Sequence, residues 1–216
     1  MKTLRIYETF SSVQGESSHA GRPCFFIRLS GCNLRCSYCD TAKAWLPESG
    51  RETTLSGILK EVEKSGLKLV EITGGEPMLQ DAVPDLCRLL LENRYEVLME
   101  TNGSLPLGSL PAGVKRIIDW KTPSSGETEK MLEENFRNLR RGDEVKFVIA
   151  DETDFENAIS VVKRFAIAGK AEILFAPVFG AMKPEKLVEM ILKEKIPARL
   201  NLQLHKLIWG ADAEGV

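Results

Sequence analysis

No stretch of this sequence is apolar for long enough to cross a bilayer, and no internal repeat or low-complexity tract interrupts it. An interdomain linker is missing too, since the Gly/Pro-rich stretch from Asn102 to Gly113 is too short to separate two domains. Nor is there an excess of charge of one sign. The formal net charge is -2 and the pI is near 5.9, which leaves no broad basic footprint for nucleic acid and favours a small substrate. No signal peptide precedes the cysteines, which predicts a reducing, cytoplasmic setting and argues against disulfides. What is present is 216 residues at 43% hydrophobic content, enough to bury one sizeable core and most simply read as a single domain, 1–216.

Cysteine is scarce, and its distribution is uneven. Of five cysteines, Cys32, Cys36 and Cys39 fall within eight residues, and the next downstream is Cys87. Structural zinc sites and ordinary iron-sulfur clusters take four protein ligands, in two separated pairs or in a run completed by a fourth cysteine. Three thiolates on one tight loop can instead hold a cubane cluster by three corners and leave its fourth iron open. A zinc knuckle completed by His19 or Cys24 is the competing reading. Cys24 begins a strand and Cys87 falls on an apolar helical stripe, so both read as buried thiols, while His19 reads as a loop histidine.

Along the chain, strands are expected at Arg5 to Phe10, Cys24 to Ser30, Leu67 to Ile72, Tyr95 to Glu100, Arg116 to Trp120, Glu144 to Ile149, Ala171 to Ala176 and Arg199 to Leu204. Helices are expected on the stripes Leu55/Ile58/Leu59/Val62, Val83/Leu86/Cys87/Leu90, Met131 to Leu139, Phe155/Ala158/Ile159/Val162/Phe165 and Leu187/Met190/Ile191. Pro106, Gly108, Pro111 and Gly113 break the connection after the fourth strand, so a crossover helix is missing there. The alternation predicts an α/β fold, a partial (β/α) barrel with about six parallel strands and a reduced set of helices. Thr73, Glu76, Asn102, Asp119, Lys121, Ser124 and His205 fall at or just past strand C-termini, the edge where β/α barrels place their sites. Arg28 lies inside the apolar strand Phe25 to Leu29, where a guanidinium needs an anionic partner. A protein carboxylate or a substrate would satisfy it, and the pattern does not choose.

The Cys-x3-Cys-x2-Cys spacing with Tyr38 before the last thiol, together with Thr73-Gly74-Gly75-Glu76-Pro77, resembles the radical S-adenosylmethionine enzymes. A closer resemblance, to the 7-carboxy-7-deazaguanine synthase family, runs through Ser12 to Glu16, Gly21-Arg22-Pro23, Phe26 to Leu34, Cys39-Asp40-Thr41 with Ala44-Trp45, Glu100 to Gly103, Asp119 to Gly126 and Gln203 to Lys206. It implies a ring contraction in which 6-carboxy-5,6,7,8-tetrahydropterin becomes 7-carboxy-7-deazaguanine with loss of ammonia, begun by hydrogen abstraction from C6 by a 5′-deoxyadenosyl radical. The implied cofactors are a 4Fe-4S cluster on Cys32, Cys36 and Cys39, S-adenosylmethionine, and Mg2+ at Thr41.

By the same resemblance, Val13, Gln14, Gly15, Glu16, Arg28, Thr73 and His205 hold the substrate, with Arg28 forking onto its carboxylate. Tyr38, Cys39, Asp40, Gly74, Gly75, Glu76, Asn102, Ser124, Ser125 and Ala176, Pro177, Val178 and Phe179 surround S-adenosylmethionine. His205 shuttles a proton or orients the ring, and a C-terminal carboxylate, here Val216, can reach the substrate. An electron donor such as flavodoxin or ferredoxin and a homodimer are implied, with no nucleic-acid or membrane partner. The alternatives are an activase for glycyl-radical enzymes, which shares the cysteine spacing, and a non-enzymatic iron-sulfur or zinc-binding module.

Overall fold

The computed structural model describes residues 2–211, 213, 215 and 216. Among the described residues nine strands form one sheet: β1 (Thr3–Val13), β2 (Pro23–Leu29), β3 (Arg51–Thr54), β4 (Leu69–Gly74), β5 (Glu96–Thr101), β6 (Lys115–Trp120), β7 (Glu144–Ile149), β8 (Glu172–Pro177) and β9 (Ala198–Leu200). Their order is β3-β1-β2-β4-β5-β6-β7-β8-β9. From β2 to β9 every neighbouring pair is parallel, while β1 is antiparallel to both β2 and β3. The sheet curls without closing. It is the expected partial barrel, with six long parallel strands and a three-residue seventh at its edge.

Strand alternation divides the side chains into two layers. Val70 and Ile72 of β4, Val97 and Met99 of β5, Ile118 of β6 and Phe147 of β7 point outward into the main core. There they meet the helices α1 (Leu55–Ser65), α2 (Val83–Glu92), α3 (Glu133–Arg137), α4 (Glu152–Arg164) and α5 (Pro184–Glu194). The opposite parity faces inward, and near the strand N-termini it is apolar: Cys24, Phe26, Leu69, Leu98 and Ile117 pack together, with Phe10 stacked 4.9 Å from Phe26. One or two residues further along the same inner face the side chains become Arg28, Thr73, Glu100, Asp119 and Lys146. The barrel interior is thus a dry floor beneath a polar chamber, and each strand's two-residue period assigns its polar residue to the chamber.

Local chemistry sets the helix limits. Thr54 caps α1 by accepting from Gly57 N, and Gly66 ends it in the left-handed region. Asp151 caps α4 through Asp154 N, and Pro184 opens α5 in the first turn. No helix joins β5 to β6, as the Pro/Gly pattern predicts. The Asn135 amide instead donates to Gly103 O at 3.0 Å and Leu105 O at 2.9 Å, satisfying loop carbonyls that a helix would have paired.

Three sequence expectations are revised. The helix predicted over Met131 to Leu139 contracts to the five residues of α3. Arg51–Thr54, where no strand is expected, pairs at the sheet edge with β1, where one face stays wet. The strand predicted over Arg199 to Leu204 stops at Leu200, and Leu204–Trp209 forms a sixth helix, α6, so His205 sits in a helical first turn rather than directly past a strand. Leu207, Ile208 and Trp209 are exposed, so α6 carries no buried stripe by which periodicity could have found it.

Candidate active site

The loop after β2 carries Cys32, Cys36 and Cys39 at the C-terminal rim of the barrel, and all three are partly exposed. Its backbone is clamped from two sides. Glu76 N donates to Gly31 O at 2.8 Å and Gly75 N to Leu29 O at 3.1 Å, while Ser37 N donates to Ser125 O at 3.1 Å. A Cβ on Gly75 would lie 2.2 Å from Gly31 O and 2.9 Å from Cys32 Cβ, so the Gly-Gly turn is what lets β4 press against the cysteine loop.

Below the loop lies a cavity of about 700 Å3. Its walls include the three cysteines, Tyr38, Asp40, Thr41, Gly74, Gly75, Asn102 and the Ala176–Phe179 segment at one end. Val13, Gln14, Gly15, Glu16, Arg28, Thr73, His205 and Val216 form the other. The structure therefore brings together nearly every residue singled out in the sequence. Glu76, Ser124 and Ser125 do not line the cavity. The fully buried Glu76 carboxylate accepts from Met78 N, Thr101 Oγ1 and Asn102 N, at 2.7–2.9 Å. Ser124 N donates to Asp154 at 2.8 Å, and Ser125 Oγ to Thr122 O at 2.6 Å. These three support the walls from behind.

Arg28 has the protein partner that its burial demands: Nε donates to Glu8 at 2.8 Å across the β1–β2 pair, and the guanidinium lies over Phe10. That bond engages Nε, while the side chain still forms part of the cavity wall. The buried Gln14 amide donates to Glu71 and accepts from Glu16 N. Its polar atoms are thereby committed to shaping the Gly15–Glu16 turn. His205 is held beside this turn, with Leu204 N donating to Gly15 O at 2.9 Å. Burial lowers the His205 imidazole from its ordinary range against the opposing charge of Glu16.

Several chamber residues were missed in the sequence: Glu71, Glu100 and Lys146. Each is a charge inside an otherwise apolar strand, the same signal that drew attention to Arg28. The Lys146 ammonium contacts Glu16 at 3.1 Å, Glu100, and Asp119 at 3.4 Å; Lys121 pairs with Asp119 at 2.6 Å. His19 and Cys24 belong to the other end of the barrel. His19 Nε2 lies 3.1 Å from Glu96 at the start of β5, and Cys24 is separated from Leu29 by roughly 17 Å of strand. Neither can complete a ligand set with the cysteine loop.

The donor set fits an iron-sulfur cluster. Three soft thiol ligands lie on one loop, and Cys32 Sγ is approached by Leu34 N at 3.4 Å and the Asn102 amide at 3.8 Å. Such N–H groups stabilise cluster sulfur. Burial pushes the Cys36 thiol up to about 11, with Lys121 opposing, so metal binding must displace its proton. The adjoining cavity gives room for a bound cofactor.

A cysteine triad above the C-terminal mouth of an unclosed parallel barrel defines a radical S-adenosylmethionine enzyme, and residues 26–122 match the Radical SAM superfamily. The fold is also that of QueE from Escherichia coli, with a TM-score of 0.77 at 23% identity over 94% of this chain and 95% of that one. The 7-carboxy-7-deazaguanine synthase of Chlorobaculum tepidum is 44% identical over 99% of this chain and 97% of its own length. That of Koribacter versatilis is 39% identical over 99% and 100%. The chain belongs to the 7-carboxy-7-deazaguanine synthase family.

Proposed function

We propose that this protein is the lyase that converts 6-carboxy-5,6,7,8-tetrahydropterin to 7-carboxy-7-deazaguanine and ammonia, the precursor step to 7-deazapurines such as queuosine. The observation that carries this reading is the shared cavity: the thiol loop and Arg28, Glu16, Thr73 and His205 line one continuous space. A cationic fork for a carboxylate and acidic groups for ring N–H donors are what a carboxylated pterin requires.

Cys32, Cys36 and Cys39 would hold the cluster, which together with bound S-adenosylmethionine would supply the radical hydrogen-transfer chemistry. The protein's share is placement and exclusion of water. Tyr38, Asp40, Asn102 and the Ala176–Phe179 segment frame S-adenosylmethionine, while Glu76, Ser124 and Ser125 hold that frame in place. Thr41, whose hydroxyl donates to Asp40 at 3.1 Å, provides a hard oxygen for Mg2+. The Val13–Gly15 backbone and Glu16 hold the heterocycle, Arg28 takes its carboxylate, and Thr73 and the C-terminal Val216 bound it. His205, kept neutral by burial, orients the ring and can accept a proton at neutral pH.

The unit that does this is one radical S-adenosylmethionine core domain, working as a homodimer in the cytoplasm with flavodoxin or ferredoxin as reductant. Among the described residues no helix is long and apolar enough to cross a membrane. The decisive test is anaerobic incubation of the reconstituted protein with the carboxytetrahydropterin, S-adenosylmethionine, Mg2+ and a low-potential reductant, followed by mass analysis. Appearance of the deazaguanine with one ammonia per turnover is expected. An untouched pterin, with S-adenosylmethionine consumed stoichiometrically beside a glycyl-radical enzyme, would replace this reading with that of an activase.

A further inference from the structure

We infer that Lys146 is the positioning residue of the substrate site: its buried ammonium fixes the carboxylates of Glu16 and Glu100 along one wall of the chamber, where together they read the N–H edge of the bound heterocycle. The inference rests on the substrate reading above and assigns that wall its organiser.

A lysine is rarely buried unless paired. The Lys146 side chain is 7% exposed, and it meets acids from three separate elements: Glu16 of the β1–β2 loop, Glu100 of β5 and Asp119 of β6. One carboxylate would suffice to neutralise it. Three exceed that need, and Lys121 removes only part of the excess through Asp119. Burial, reinforced by Glu100 and Glu16, raises the Glu71 carboxyl of β4 well above the ordinary glutamate range, and the excess of three acids over two ammonium groups stands without it. The wall therefore carries more negative than positive charge, facing a space that its own cations do not fill.

The hydrogen bonds show how the ammonium is used. Glu16 Oε2 accepts from Lys146 and from Asn201 Nδ2, both at 3.1 Å, and its Oε1 from Gln203 Nε2 at 2.9 Å. Glu100 Oε1 accepts from Lys146 and Oε2 from Thr73 Oγ1 at 3.1 Å. Each carboxylate is fixed in orientation, yet a carboxylate has about four acceptor sites and here fills two or three. A compact ammonium with three rotatable donors suits acceptors on three sides, whereas a planar guanidinium fork does not. Without it, Glu16 and Glu100 would repel each other, and Glu100 would lose the charge that holds its carboxyl low against burial. The titratable groups around Lys146 are Glu16, Glu71, Glu100, Asp119, Lys121 and, beyond Glu16, His205.

The test is equilibrium binding of 6-carboxy-5,6,7,8-tetrahydropterin to anaerobically reconstituted Lys146→Met and Lys146→Arg, followed over pH. For Lys146→Met the expected result is unchanged iron content, at least tenfold weaker binding, and an acid limb of the binding profile displaced to higher pH. For Lys146→Arg the charge remains but the three-way geometry does not, so binding should weaken several-fold with the acid limb in place. Wild-type affinity and profile in the Met variant would overturn the inference. Should the Met variant fail to fold, wild-type affinity in the Arg variant would overturn it. A wild-type protein that does not bind the pterin at all would instead remove the substrate reading, a distinguishable outcome.

Discussion

The Lys206 ammonium of α6 lies 2.9 Å from a carboxylate oxygen of Asp40, the residue directly after the third cysteine. One turn earlier, the Gln203 amide donates both to that aspartate at 3.1 Å and to Glu16 at 2.9 Å. The last helix thereby ties the cluster loop to the substrate turn across the mouth of the cavity. Lacking a buried stripe, α6 has little else to hold it there.

Lys206→Ala should free α6 without unfolding the protein. Partly exposed pairs contribute about 0.2–1 kcal/mol, which in a chain of this size shifts Tm by a few degrees at most. Hydrogen exchange should show loss of protection confined to residues 204–209, with KM for the substrate raised several-fold. Burial would raise the Asp40 carboxyl, but Lys206 and the hydrogen bonds from Lys206 and Gln203 outweigh it and hold it below the ordinary aspartate range. The tie contributes above that range and is lost only as pH falls through the depressed value. Wild-type α6 should therefore stay protected at pH 4, where a free aspartate is about half protonated. Loss of protection between pH 6 and 4 would show that the pair does not hold the helix.

Gly75→Ala should cost the cluster before it costs the fold. The new Cβ would meet Gly31 O at 2.2 Å and Cys32 Cβ at 2.9 Å, both backbone-fixed positions that cannot swing aside. Overpacking of this kind destabilises by about 1–3 kcal/mol, and the cysteine loop is the side free to yield. Iron per chain after reconstitution should fall by more than half while far-UV circular dichroism is retained. Full iron content would show that the Gly-Gly turn does not set the cysteine loop.

What could be read from the sequence followed from periodicity and from types of residue with few alternative uses. The long strands alternate, α1, α2, α4 and α5 carry apolar stripes with caps, and three clustered cysteines have little structural purpose in a reducing setting. What could not be read lacked that signal. Arg51–Thr54 becomes a strand only because β1 offers an edge, and α6 is held by Asp40, Glu16 and Gly15 rather than by its own apolar face. Glu71, Glu100 and Lys146 were visible as charges within apolar strands, but their meaning depends on three strands placing them on the same inner face.

Glu71→Gln tests the buried charge balance. Burial, reinforced by Glu100 and Glu16, raises the Glu71 carboxyl well above the ordinary glutamate range despite the bond from Gln14. A raised carboxyl binds its proton more tightly in the folded than in the unfolded chain. Its contribution is therefore complete below the ordinary glutamate value and declines as pH rises toward the folded one. Wild-type Tm should fall between pH 5 and pH 8 more than that of Glu71→Gln, which keeps the volume and cannot ionise. A difference of about 1 kcal/mol would appear as about 2–4 °C. Parallel Tm curves for the two proteins would mean that Glu71 does not titrate with folding.

Gly15→Ala asks whether His205 acts through its exact position. A Cβ at residue 15 would stand 2.7 Å from His205 Nδ1 and 3.3 Å from His205 N, so the imidazole must swing away while the backbone gives by only a few tenths of an ångström. The backbone bonds that clamp the cysteine loop, Glu76 N to Gly31 O and Ser37 N to Ser125 O, involve neither Gly15 nor His205, and iron content should be unchanged. If His205 orients the ring or takes a proton, kcat/KM should drop at least tenfold, about 1.4 kcal/mol of transition-state stabilisation. Because burial lowers the His205 imidazole, its protonation belongs below the ordinary histidine range. The wild-type acid limb should lie there, and it should move in Gly15→Ala and vanish in His205→Gln. Unaltered kcat/KM in Gly15→Ala, with the displaced ring verified by NMR, would confine His205 to a structural role.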